Sequence, residues 1–156
     1  MPGYFLMRRD LTTPIASVPL PEAIVLAHFS IDIAPDCRSV MDAAYAPAGY
    51  ATVPFEPWYA ALAGNSEFDS ALVWVAMSGC AVVGFCQCWR TPFVKDLVVA
   101  AAWRNRGLGS ALLSQALQAF AARSAVSVDL KTDIDNIKAQ SLYRRLGFQI
   151  VERIAD

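Results

Sequence analysis

The sequence predicts a mixed α/β fold, in which one central sheet combines an antiparallel meander with a parallel strand pair and carries helices on its faces. Two observations predict it. Between Ala71 and Val99 three strand-like runs follow one another, separated only by Ser78-Gly79 and Thr91-Pro92, which makes a meander. Between Phe93 and Thr132 a strand, an amphipathic helix and a second strand follow in order, and such a crossover sets its two strands parallel. Helices, then a meander, then a parallel unit describe neither a doubly wound sheet nor a barrel.

The elements follow from local chemistry. Tyr4 to Arg8 reads as a leading strand, and Thr12 to Pro21, with Pro14, Pro19 and Pro21, as a connecting arm; residues 1–21 thus form an N-terminal strand and arm. Glu22 to Phe29 reads as a strand. Asp36 is suited to cap a helix that runs to about Tyr45 and buries Val40, Met41 and Ala44. Pro47, Gly49, Pro54 and Pro57 make Ala46 to Pro57 a loop. Trp58 to Ala63 reads as a short helix stopped by Gly64-Asn65. In the meander, Ala71 to Met77 and Ala81 to Arg90 precede the Phe93 to Val99 strand, and Gly84 is a candidate bulge. Ala100 to Trp103 leave the sheet and Arg104 to Gly109 turn the chain. From Ser110 the apolar residues Leu113, Ala116, Leu117 and Phe120 recur at helical spacing, and the helix continues to Ser124. Val126 to Thr132 is the next strand. Asn136 opens a helix over Ile137 to Leu146, Gly147 ends it, and Phe148 to Ile154 is a final strand. No repeat or linker divides the 156 residues, so a single domain is expected, with residues 93–148 as its ligand-binding core.

Composition bounds the function. Apolar residues make up 56% and charged residues 17% of the chain, which suits a packed core and not disorder. A net charge of −1 gives no electrostatic case for nucleic acid or an anionic membrane. Apolar runs such as Ala71 to Met77 are far shorter than the roughly 20 residues of a membrane helix. MPGYFLMRRD lacks the apolar segment of a secretory signal, so a cytoplasmic protein is expected. The four cysteines read as structural: Cys86 and Cys88 share one face of a strand, and with a single histidine there is no ligand set for zinc, so no metal is expected. That histidine, His28, reads as a strand residue.

The stretch from Phe93 to Ser124 carries the chemistry. Gly107 and Gly109 lack a Cβ and let another molecule approach the backbone. The first amides of the following helix have no partner inside it, and the positive end of its dipole lies there. Together they make a phosphate site, to which Arg104 and Arg106 add charge. Leu112 stands where a dinucleotide fingerprint needs a third glycine, and no Lys-Ser or Lys-Thr follows the glycines, so neither that motif nor a P-loop is met. In the second informative stretch, Asp135 to Phe148, Tyr143 lies seven residues after Asn136 on nearly one helix face. With Gly147 left-handed after the helix, Phe148 can pack on Tyr143.

Arg104, Gly107 and Gly109, then Asn136, Leu142, Tyr143, Gly147 and Phe148 resemble the pattern of the GNAT superfamily of acyl-CoA-dependent N-acyltransferases. The resemblance covers roughly Ala71 to Phe148. It implies a GNAT-type sheet whose parallel strands splay apart to seat acetyl-CoA as co-substrate. It further implies that the backbone of Leu97, Val98 and Val99 holds the pantetheine arm and thioester. The amides of Arg104, Asn105, Arg106, Gly107, Leu108, Gly109 and Ser110 would hold the pyrophosphate, Asn136 would touch the coenzyme, and Tyr143 would be the general acid. Dimers are common in the superfamily, and a homodimer through the C-terminal strand is one expectation.

Acyl transfer to a primary amine requires loss of the amine proton, stabilisation of an oxyanion and protonation of the thiolate. A phenol with a pKa near ~10 suits the last task. The base does not follow from the resemblance, because Lys131 stands where some relatives carry a carboxylate. Asp96 is the candidate, a carboxylate inside an apolar strand. Asp129, Lys131 and Asp133 share one strand face; either they meet Asp96 at the mouth of the slot, or Asp96 and Lys131 form a structural ion pair, or the stripe is a solvated face. The acceptor falls to Ala34 to Gly64, where Tyr45, Tyr50, Phe55, Trp58 and Tyr59 read mostly as core or lid packing and carboxylates are few besides Asp42 and Glu56. That composition favours a small or partly apolar amine over a polybasic acceptor, with a peptide N-terminus left open. Two other functions fit less of the sequence: a non-catalytic acyl-CoA sensor, and a nucleotide-binding α/β domain with Asp129 on a ribose.

Overall fold

The computed structural model describes residues 3–155. Seven strands form one sheet: β1 (Tyr4–Asp10), β2 (Ile24–Ala27), β3 (Phe68–Ser78), β4 (Ala81–Trp89), β5 (Phe93–Val99), β6 (Ser127–Asp133) and β7 (Phe148–Ile154). Four helices accompany them: α1 (Ala34–Tyr45), α2 (Phe55–Ala63), α3 (Leu108–Ala122) and α4 (Ile137–Arg145). The strand order is β2-β3-β4-β5-β6-β1-β7. Every neighbouring pair is antiparallel except β5 and β6. The expected mixed sheet is therefore present, and the nucleotide-binding reading fails with it, because this order is not a doubly wound one.

One parallel pair positions everything that follows. The strands β5 and β6 pair only at Phe93–Asp129 and Val94–Leu130, near their N-terminal ends. Beyond Val94 they separate, while β5 stays bonded to β4 as far as Val99 and β6 stays bonded to β1 as far as Asp133. The gap exposes backbone polar groups on both of its sides, in the middle of the sheet.

Packing on the two faces holds the gap open. On one face α3 buries Leu108, Leu112, Leu113, Ala116, Leu117 and Phe120 against β3, β4, β5 and β6. Gly84 permits this approach: a Cβ there would lie 3.0 Å from Leu112 Cδ1 and 3.2 Å from Leu108 Cδ2. The neighbouring Val83 is the extra residue of a bulge, as β4 shifts register between Gly84 and Val82. On the other face α1 and α2 cover Val73, Val75, Val82, Phe85 and Val98. With helices on both faces, every residue from Val82 to Cys88 of β4 is buried.

Several boundaries differ from expectation. The helix α1 is capped by Ile33 with no side-chain bond, and Pro35 starts its first turn; Asp36 lies inside that turn, where a carboxylate favours the dipole without capping. Arg38, Met41 and Cys37 form its buried side with Ala34, while Val40 and Ala44 are only partly buried. Pro57 does not delay α2, which begins at Phe55, because the first-turn amides of a helix need no acceptor. The strand β2 stops at Ala27, which leaves His28 exposed just past it. Cys37, Cys86 and Cys88 are buried, but Cys80 is exposed in the β3–β4 turn. No helix among the described residues is long and apolar enough to cross a membrane.

Candidate active site

A cavity of about 830 Å3 opens where β5 and β6 part. Residues from both faces of the sheet line it, among them Tyr45 and Arg38 from α1, Asp96 to Val99 from β5, Lys131 to Asp133 from β6, and Asn136 and Tyr143 from the start and end of α4.

One end of the gap lies near the start of α3. The turn before it needs positive φ at Asn105 (61°) and Gly107 (84°). Asparagine and glycine tolerate this conformation, and no atom lies within 4 Å of where a Gly107 Cβ would be, so the turn is open to an incoming group. The helix starts at Leu108, two residues before its apolar period does, because Gly107 acts as its N-cap. Its first intrahelical bond runs from Ala111 N to Gly107 O, which leaves the amides of Leu108, Gly109 and Ser110 without a helical acceptor. Arg104 turns back to donate from Nε to Val99 O at 3.2 Å, while Arg106 stacks on Trp103 at 4.7 Å. The positive charge beside the turn comes from two exposed guanidinium groups that the chain itself holds in place.

On α4, Asn136 is the N-cap, its Oδ1 accepting from Ala139 N at 3.1 Å. Two turns later Tyr143 packs against Phe148, with ring centroids 6.0 Å apart and planes at 58°. Gly147 makes that contact possible with φ 94°. Behind it stands Arg9, buried and without an ion pair among the described residues: Nε donates to Leu146 O at 2.7 Å, and the guanidinium also binds Thr13 Oγ1, Pro14 O and Asp10 O. A cation on the last carbonyls of a helix is favourable, and this one ties the N-terminal arm to the helix that carries Tyr143. Burial, and then the nearby Cys86 and Asp96, push the Tyr143 phenol up to about 12, so it stays protonated at neutral pH.

Asp96 lies opposite Gln87 on β4. Lys95 beside it is the extra residue of a bulge, since the register passes from Gln87–Asp96 to Cys88–Val94. Bulges re-aim side chains, and this one falls where the parallel pair ends. Burial raises the Asp96 carboxyl above the usual carboxylate range, opposed by the charge of Lys95, a hydrogen bond from Tyr45 and the charge of Arg38. The Tyr45 hydroxyl donates to Oδ1 at 2.5 Å, and Lys95 Nζ lies 3.9 Å from Oδ2.

The expected stripe on β6 divides. Asp129 forms a fork with Arg8 at 2.7 and 2.9 Å and serves β1. Lys131 lies over the Tyr4 ring at 4.9 Å, and the ion pair expected between Lys131 and Asp96 is absent among the described residues. Lys131 and Asp133 do line the cavity with Asp96. All the residues expected from β5 are on its wall; from the turn Arg104 lines it, and the remaining turn residues lie outside it.

Tyr45 packs on the core as expected, and its hydroxyl in addition reaches the site. Arg38 was not singled out in the sequence, and Asp42 only as one of the few carboxylates of the acceptor region. Arg38 pairs with Asp42 at 2.8 Å and stacks on Trp58 at 5.3 Å, and Asp42 also accepts from Val53 N at 3.2 Å. The signal was present: Arg38, Asp42 and Tyr45 are spaced i, i+4, i+7 and share a helix face. A buried arginine on that face needs a partner.

The split sheet, its free backbone edges and the open helix start define a scaffold suited to an elongated ligand that bears phosphate at one end. A sequence model of the acetyltransferase (GNAT) family matches residues 27–148. The chain belongs to the GNAT acetyltransferase family. The match begins well before Ala71, so it includes α1 and α2. A GCN5-related N-acetyltransferase from Sphaerobacter thermophilus superposes with a TM-score of 0.83 at 23% identity, over 97% of this chain and 49% of that one. Arabidopsis thaliana Naa50, solved with the bisubstrate analogue CoA-Ac-MVNAL, superposes with a TM-score of 0.66 at 18% identity, over 85% of this chain and 87% of that one. At these identities the likeness is one of fold. Mycothiol acetyltransferase from Clavibacter michiganensis is 52% identical over 44 residues, which are 28% of this chain and 14% of that protein. The chain thus spans about half of the Sphaerobacter protein, and its aligned segment a small part of the mycothiol enzyme.

Proposed function

We propose that the chain is an N-acetyltransferase that moves an acetyl group from acetyl-CoA to the primary amine of a small, partly apolar acceptor by direct attack in a ternary complex. One observation carries this reading: the parting of β5 and β6 puts a carboxylate with a raised pKa and a protonated phenol on the walls of one cavity. A carboxylate that can accept a proton and a phenol that can donate one, on the walls of one cavity, are what proton transfer at both ends of a reaction requires.

The residues present fit the coenzyme. The backbone of Leu97, Val98 and Val99 has no β6 partner in the gap, Val99 O instead accepting from Arg104 Nε, and would bond the pantetheine arm as an added strand does. The amides of Leu108, Gly109 and Ser110, with those from Arg104 to Gly107, would hold the pyrophosphate. Arg104 and Arg106 would add charge. The Asn136 amide nitrogen is free to reach the coenzyme, its oxygen being committed to the cap. When bound, the thioester supplies an activated acyl carbon and a thiol leaving group.

In this reading Asp96 takes the proton of the acceptor ammonium at its free oxygen, and the Tyr143 hydroxyl donates to the departing sulfur. A backbone amide among Leu97 to Val99 lies where the oxyanion develops. Ionised Asp96 is the active form, so activity rises as pH climbs through its raised pKa. The acceptor side is lined by Tyr45, Tyr50, Val53 and Trp58, with Asp42 neutralised by Arg38; this favours one amine on an apolar body over a polycation.

Release of free thiol from acetyl-CoA across a panel of amines tests the proposal. The expected result is turnover with arylalkyl amines or apolar peptide N-termini, abolished by Asp96→Asn. Tight acetyl-CoA binding with no turnover on any amine would instead favour a non-catalytic acyl-CoA sensor.

A further inference from the structure

The geometry points to Tyr45 as a positioning residue for the proposed base: its hydroxyl holds one oxygen of Asp96, leaves the other free, and links the base to the segment that covers the acceptor end of the cavity. The inference rests on the reading of Asp96 just given.

Tyr45 is the last residue of α1, and its hydroxyl lies 2.5 Å from Asp96 Oδ1. Among the described residues it is the only hydrogen-bond donor to that carboxylate. Arg38 lies two turns back on the same helix but is spent: its Nε and Nη2 hold Asp42 at 3.0 and 2.8 Å. Lys95, half-exposed on the bulge, stands 3.9 Å from Oδ2 and makes no hydrogen bond to it. The other titratable groups that face Asp96 are Cys88 from β4 and Tyr143 from α4, both neutral at pH 7. Burial, Asp96 itself and the hydrogen bond raise the Tyr45 phenol, so it is a donor at every pH the enzyme meets. A permanent donor on Oδ1 favours the ionised carboxylate and fixes its plane, which leaves Oδ2 as the oxygen that can accept a proton.

The same residue anchors the loop between α1 and α2. Tyr50 N donates to Tyr45 O at 3.3 Å, and the two rings meet edge to face at 5.9 Å. Val53 hangs from Asp42 one turn earlier. Tyr50 and Val53 are exposed, line the cavity and lie where the acceptor would enter. An acceptor seated on them bears directly on the residue that holds the base.

The test is a carbon-13 NMR titration of the whole chain, with aspartate carboxyl and tyrosine ring carbons labelled and Asp96→Asn used for assignment. In Tyr45→Phe the Asp96 midpoint is expected to move up by about one pH unit, the worth of a hydrogen bond to a charged group. An unchanged or lowered midpoint overturns the proposal. A second measurement needs only the wild-type chain: the Tyr45 ring carbon is expected to follow the Asp96 midpoint, and a flat Tyr45 signal overturns the proposal even if Tyr45→Phe fails to fold. Neither measurement requires acyl transfer, so failure here is distinct from failure of the enzyme reading. Coupled titration together with full transfer activity in Asp96→Asn would overturn the positioning role, because the hydrogen bond would then serve no base.

Discussion

Replacing Gly147 by alanine tests how the chain positions Tyr143. Gly147 has φ 94°, a conformation that costs a residue with a Cβ roughly 1–2 kcal/mol. The added Cβ would also lie 2.5 Å from Arg9 Nε and 2.9 Å from Arg9 Cδ. Arg9 cannot give way cheaply, because it is 5% exposed and four acceptors hold its guanidinium. Displacing it forfeits the bond to Leu146 O, about 1.5–3 kcal/mol for a charged donor. The sum is about 2.5–5 kcal/mol, a large part of the stability of a domain this size. Melting should fall by roughly 5–20 °C. Urea denaturation of Gly147→Ala, alone and combined with Arg9→Ala, separates the two causes: without Arg9 only the backbone cost of roughly 1–2 kcal/mol should remain. A loss below about 0.5 kcal/mol, or equal losses in both backgrounds, would refute the packing argument.

Two further outcomes follow from the site. Tyr143→Phe removes a proton donor and should lower turnover by about 10²–10⁴-fold while leaving acetyl-CoA binding within a factor of about two; unchanged turnover would remove Tyr143 from the reaction. Asp96→Asn should change stability in a pH-dependent way. The folded chain holds a proton on Asp96 that the unfolded chain has already released, so this group's stabilisation is present below the unfolded pKa and lost as pH rises through the folded one. The variant should therefore gain most on wild type at pH 8 and least at pH 4. Equal differences in melting temperature at the two pH values would contradict a raised carboxyl pKa.

The stretch from Phe93 to Phe148 was legible in the sequence, and the side chains of α1 and the loop after it were not. Gly107, Asn136 and Gly147 each stand where the backbone leaves ordinary conformation or a helix needs a cap, and such requirements are local. The parallel pair followed from the crossover rule. Its early divergence was expected only through the family resemblance, because strand separation is a tertiary property and β5 carries no residue that announces it. The bulge at Lys95 was equally silent. On α1 the Tyr45 ring packs as expected, but its hydroxyl has a partner 51 residues away that no local pattern announces. Arg38 illustrates the same limit, since a charged residue at helical spacing reads as surface until its carboxylate is found on the next turn. The Lys131–Asp96 pairing failed because both residues found nearer partners, Tyr4 and Tyr45.

The central claim is that the gap between β5 and β6, with the open start of α3, holds acetyl-CoA. Calorimetric titration with acetyl-CoA, with NADH as the control ligand, tests it most directly. Acetyl-CoA is expected to bind with micromolar affinity at one site per chain, with NADH silent. Absent acetyl-CoA binding, or NADH binding as tightly, would contradict it.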